Sequence, residues 1–118
     1  MAKHREYNLE ERLIAFADSA IDVAESVPST RAGILLSEQL IRSVTSSALN
    51  YGEAQGAESK RDFIHKMGEI LKELRESSIN LKLIIRRRII TDDKTLKESR
   101  ELIAIFVASI QTAKRNIS

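Results

Sequence analysis

Few residues of this chain have types and spacings suited to chemistry, and the sharpest group is Arg86-Arg87-Arg88 with Lys82 one turn before it. Such a run attracts phosphate, and the attraction grows with the number of cations engaged. Consecutive helical residues splay over about 200°, so the triplet cannot form one flat patch on a single copy, whereas repetition in an assembly would multiply its effect. These four side chains are the candidate nucleic-acid-binding residues. The same arginines also suit a solvated helix C-terminus, where they meet the negative end of the dipole and their stems cover Ile84 and Ile85.

The remaining candidates point away from catalysis. Asp62 and His65 form one i, i+3 ligand pair, but a di-iron bundle takes two Glu-x-x-His motifs and two further glutamates. The chain has only His4 and His65, so the second motif is missing; His65 reads better as a partly exposed helix residue near a cap. Ser43, Ser46, Ser47 and Asn50 share a helix face with no His or Lys placed to activate a hydroxyl, and small side chains at a close helix contact account for them. Glu53, at a helix end, meets the unfavourable end of the dipole and needs an N–H or cationic partner, for which Lys60 or Arg61 across the turn is in reach. With no second catalytic group beside it, a structural role is expected rather than general acid catalysis. No enzymatic activity, metal or cofactor is expected.

The elements that position these residues are helices. With 118 residues, 42% hydrophobic content, 4% aromatics, four Gly and one Pro, the composition suits one all-α domain over residues 1–118. Cysteine is absent, which removes disulfides and thiolate chemistry. The N-terminal Met1–Tyr7 lacks the apolar run of a signal peptide and no stretch reaches the length of a membrane span, so a cytoplasmic protein without membrane contact is expected.

Asn8 with Glu11 has capping-box spacing, and Leu9, Leu13, Phe16, Ala20, Ala24 and Val27 then recur at helical steps as far as Pro28. Pro28-Ser29-Thr30 opens a second helix whose inner face is Leu36, Leu40, Val44, Ser47 and Tyr51. A tight hinge follows: Gly56 is positioned to take the left-handed conformation of a helix end, and Ser59 with Asp62 has capping-box spacing. The hinge residues are thus Glu53, Gly56, Ser59 and Asp62. Phe63, Met67, Ile70 or Leu71, Leu74, Ser78, Leu81 and Ile85 carry a third helix to about Arg87. Thr95 with Glu98 caps a fourth, lined by Leu102, Phe106, Ser109 and Ala113. Short connections make neighbours antiparallel, which gives an up-down-up-down four-helix bundle.

Charge is uneven along these helices. The first carries Glu10, Glu11, Asp18, Asp22 and Glu25 against Arg12, whereas Ser59 to Arg88 has an excess of five bases over acids. Apolar residues exceed what one core needs: Ile34, Leu35, Ile41, Ile84, Ile89, Ile90, Ile103 and Ile105 lie beside the inner stripes. A subunit interface accounts for them, and a wide core with some exposed isoleucines is the plainer alternative.

The runs Gly52-Glu53-Ala54-Gln55-Gly56-Ala57-Glu58-Ser59, Asp62-Phe63-Ile64-His65-Lys66-Met67 and Leu71-Lys72-Glu73-Leu74-Arg75-Glu76 resemble the small bacterial four-helix-bundle proteins named after 23S rRNA intervening sequences. The resemblance covers roughly Ser37 to Ile85, about half the chain. It implies a ring-shaped homopentamer with no established enzymatic role. A related branch, the accessory variability protein of diversity-generating retroelements, is a basic pentamer that partners nucleic acid and a reverse transcriptase. The chain departs from the commoner family pattern Asn-Ile-Ala-Glu-Gly with Asn50-Tyr51-Gly52-Glu53-Ala54, and has Ser78-Ile79-Asn80 where aromatics are frequent. The expectation is therefore a homo-oligomeric bundle that binds RNA or a nucleoprotein through basic surface, with a protein-interaction scaffold as the alternative.

Overall fold

The computed structural model describes residues 8–116 as four helices: α1 (Leu9–Ser26), α2 (Arg31–Gln55), α3 (Lys60–Arg86) and α4 (Lys94–Arg115). His4 and the rest of the N-terminal segment read above lie outside the described residues. Each helix packs on its sequence neighbour, and α1 meets α4 along a shorter seam to complete the bundle. Two contacts tie α4 to the helices before it. Tyr51, late in α2, stands edge-on to Phe106 with centroids 6.0 Å apart, and Lys60 Nζ at the start of α3 reaches the Asn116 carbonyl beyond α4 at 3.4 Å.

The core follows the helical period. Leu13, Phe16, Leu40, Met67, Leu74 and Phe106 are fully buried among a larger set of apolar neighbours. Ser43, Ser47, Ser77 and Ser99 share this interior because each hydroxyl donates to a carbonyl one turn back on its own helix. A buried donor without a partner would be costly, and this local bond removes the cost without needing a polar neighbour.

Chain breaks have separate causes. Before Pro28, Val27 is extended (φ −74°, ψ 130°), as steric conflict with the proline ring demands, and α1 stops there. Thr30 Oγ1 then accepts from Gly33 N–H at 3.0 Å and caps α2. Gly33 is buried where a Cβ would collide with the Pro28 carbonyl oxygen and crowd Val27, so the turn closes over α2 only because this side chain is a hydrogen.

Several cap assignments made from sequence need correction. Gly56 is not left-handed: its φ is −98°, and the N–H groups of Gly56 and Ala57 turn back onto the carbonyls of Glu53 and Ala54, both at 3.1 Å. A tightened last turn satisfies these groups without a positive φ. Ser59 caps α3 by accepting from Asp62 N–H at 3.0 Å, but Asp62 accepts from Glu58 N–H at 3.1 Å, one residue before the partner of a reciprocal box. Asn8 precedes α1 without a side-chain cap bond. Thr95 lies inside α4, which starts at Lys94, and Glu98 is used instead across the bundle.

The surplus of apolar residues also resolves differently. Ile84 is fully buried, and Ile41, Ile89, Ile90 and Ile103 pack against the core, so they need no partner. Ile34 and Leu35 are exposed as expected, together with Ile14, Leu49, Ile79 and Leu83, which the sequence stripes did not single out. Among the described residues no helix is long and apolar enough to cross a membrane.

Candidate nucleic-acid interface

Lys82 and Arg86 are exposed on the outer side of α3, Arg87 is its C-terminal cap, and Arg88 is the first residue of the turn. All four are brought to one end of the bundle, yet they do not share a face. Arg88 has φ +60°, the one positive φ among the described non-glycine residues. Its N–H donates to the Ile85 carbonyl at 2.9 Å and Ile89 N–H to the Ile84 carbonyl at 3.1 Å. This pair of bonds is a Schellman motif, and Ile89 packs against the core that holds buried Ile84. Glycine ordinarily fills the left-handed position because an L side chain there is strained. Here an arginine fills it: Arg87 still bonds back to the Leu83 carbonyl in helical fashion, and the chain turns away from α3 at Arg88.

None of Lys82, Arg86, Arg87 or Arg88 forms an ion pair among the described residues. Arg12 shows the opposite arrangement. Its guanidinium spans Glu98 at 2.8 Å and Glu101 at 2.9 Å, tying α1 to α4, and the bond to Glu98 raises its pKa above the usual value. The positively charged end of α3 is therefore available to an outside anion, while the one base of α1 is consumed internally.

Beside the basic residues lies apolar surface. Ile79, Lys82, Leu83, Ile85 and Arg86 of α3 line a groove with Leu96 of α4. On the other side of α3, Gln39, Arg42 and Ser43 of α2 face Glu76, Ile79 and Asn80 across a second groove. Near it one Glu73 carboxylate oxygen is buried without a hydrogen-bond partner. Burial pushes this carboxyl above the usual range, and neighbouring Glu76 adds to the shift against the opposing pull of Lys72 and Arg42. The sequence carried a faint signal of this in like-charged Glu73 and Glu76 at i, i+3 on one helix.

At the hinge, Glu53 is exposed and forms no ion pair with Lys60 or Arg61; the expected bridge is absent among the described residues because Lys60 reaches the far end of α4 instead. Asp62 lies 3.7 Å from Lys66, and exposed His65 lies 3.9 Å from Glu69, so the i, i+3 pair does not converge. Among the described residues no group of three His, Asp or Glu side chains could hold a metal ion.

The fold and its relatives agree. A crystal structure of a protein with unknown function from the S23 ribosomal protein family of Bacteroides thetaiotaomicron superposes with a TM-score of 0.79 at 29% identity, covering 86% of this chain and 96% of that one. No curated protein matches the chain. The sequence pattern of the 23S rRNA-intervening sequence proteins matches residues 5–108, nearly the whole bundle, and the chain belongs to that family.

Proposed function

We propose that this protein is a non-enzymatic, self-assembling bundle that binds structured RNA through the basic end of α3. The observation that carries the reading is the group Lys82, Arg86, Arg87 and Arg88, exposed at one end of the molecule with no ion pair among the described residues. A single copy offers four such cations, too few for strong binding. A homo-oligomer, with a pentamer as the expected form, repeats those that its own seams leave open, and each phosphate neutralised releases counterions. Contacts of this kind position a backbone and carry no base sequence. Binding then depends on RNA shape and charge and weakens steeply with salt.

The test is a titration of labelled structured RNA at two salt concentrations. Wild type is compared with an Arg87→Ala, Arg88→Ala variant of unchanged oligomeric mass. The reading predicts weaker binding and a shallower salt dependence for the variant. Equal binding by both refutes the site.

A protein-interaction scaffold is the second reading, favoured by one observation: Ile79 and Leu83 are exposed beside Lys82 and Arg86. Apolar side chains gain nothing from phosphate and much from a protein surface. Absence of RNA binding by wild type at low salt would select it.

A further inference from the structure

We infer that the outer groove between α1 and α2 of one copy receives the outer stripe of α3 of the next, in a head-to-tail seam that assembles the protein. The inference rests on the self-assembly proposed above and assigns the surfaces that perform it.

Two exposed apolar surfaces of opposite charge carry the argument. The first is the groove of about 620 Å³ where Ile14, Ile21, Ala48 and Leu49 stand with Glu11 and Asp18. Leu49 is 70% exposed there, an unusual position for leucine on a bundle this size. The second is the α3 stripe of Ile79, Lys82, Leu83 and Arg86, where Ile79 is 59% exposed. Positions 79, 82, 83 and 86 follow steps of three and four, so they form one continuous helical ridge. A ridge of two apolar and two basic side chains is complementary in both polarity and charge to a groove of apolar residues flanked by two carboxylates.

Charge also decides the direction of pairing. Groove against groove would set Glu11 and Asp18 of two copies together, and ridge against ridge would oppose Lys82 and Arg86 to themselves; like-charge juxtaposition of this kind is selected against. Ridge into groove pairs each base with an acid. Since α1 packs on α2 and α4 rather than on α3, the two surfaces lie on different sides of the bundle. A contact between unlike surfaces leaves one of each free on every dimer, so addition continues until a ring closes. In such a seam Lys82 and Arg86 answer Glu11 and Asp18. Arg87 and Arg88, which line neither of the grooves beside the ridge, stay available for RNA.

The experiment measures mass by light scattering, with helicity followed by circular dichroism. One variant, Ile14→Ser with Leu49→Ser, spoils the groove, and another, Ile79→Ser with Leu83→Ser, spoils the ridge. Each alone is expected to be monomeric at concentrations where wild type is assembled, a loss of affinity of about a hundredfold or more for two apolar side chains removed from a seam. Mixed in equal amounts they are expected to form a dimer and nothing larger, because one intact groove meets one intact ridge. A second pair guards against loss of folding: Asp18→Arg or Arg86→Glu alone weakens assembly, and the two together in one chain restore it. Full wild-type mass in either apolar variant, or no dimer on mixing folded variants, overturns the assignment of surfaces while self-assembly stands. A wild type that stays monomeric at high micromolar concentration overturns both.

Discussion

The turn after α2 and the turn after α3 solve the same problem with reversed materials. At the first, Gly56 sits at φ −98°, a conformation open to any residue, and the helix ends by tightening its last turn. At the second, Arg88 sits at φ +60° in a Schellman cap, a position at which glycine would be relaxed. Glycine is present where it is not required, and a charged side chain is kept where it costs about 1 kcal/mol or more of backbone strain. The difference teaches that a helix-ending glycine in sequence does not locate the left-handed residue. Under the proposed function, Arg88 is kept there for its charge rather than for stability.

The comparison is sharpened most by the glycine that is required. Gly33→Ala is expected to lower stability by about 1 to 3 kcal/mol, because the added methyl meets the backbone oxygen of Pro28, which cannot swing aside as a side chain would. Thermal unfolding reads this as a clear fall in midpoint, and an unchanged midpoint would mean that the α1–α2 turn is more open than described. At the hinge itself, Ser59→Ala removes the bond to Asp62 N–H and is expected to cost about 1 kcal/mol, whereas Asn8→Ala, at a helix start without a cap bond, is expected to cost almost nothing. Equal losses in urea unfolding would break the distinction between the two helix starts.

Gly56→Ala is expected to leave stability unchanged or raise it by less than about 1 kcal/mol, since it restricts the unfolded chain without straining the folded one. A loss of that size would restore a left-handed Gly56. Glu73→Gln has the smallest expected effect and a pH signature. The folded carboxyl titrates above its ordinary range, so its contribution is favourable below that range and is lost as pH rises through the elevated value. The variant should melt above wild type at pH 7, with the gap closing on acidification below the ordinary carboxylate range. A gap independent of pH would contradict burial of the charged form.

How much of this was legible in sequence follows from what each signal depends on. The four helices and the core stripes were legible because Leu13, Phe16, Leu40, Leu74, Leu81 and Phe106 keep a local period that tertiary packing obeys. Ser59 was readable as a cap, and the start offered by Pro28-Ser29-Thr30 is capped by Thr30, because such a bond spans three residues of the same segment. Arg88 was not readable as the left-handed residue, since its conformation is imposed by Ile89 returning to Ile84, a contact no propensity encodes. The pairing of Arg12 with Glu98 joins residues far apart in the chain, and Thr95 with Glu98 imitated a cap that the actual helix start made unnecessary. Of the candidate interface, the charge was legible and its division between the α3 ridge and the turn was not, because that division depends on where the helix stops.

Arg88→Gly tests the central claim most directly, with the melting midpoint and the affinity for structured RNA measured on the same preparation at constant oligomeric mass. Relief of the left-handed strain raises the midpoint, by about 1 kcal/mol of stability, while loss of one cation per copy weakens RNA binding and flattens its dependence on salt. The account predicts these opposite signs. A variant that melts lower, or one that melts higher and binds RNA as tightly as wild type, would contradict it.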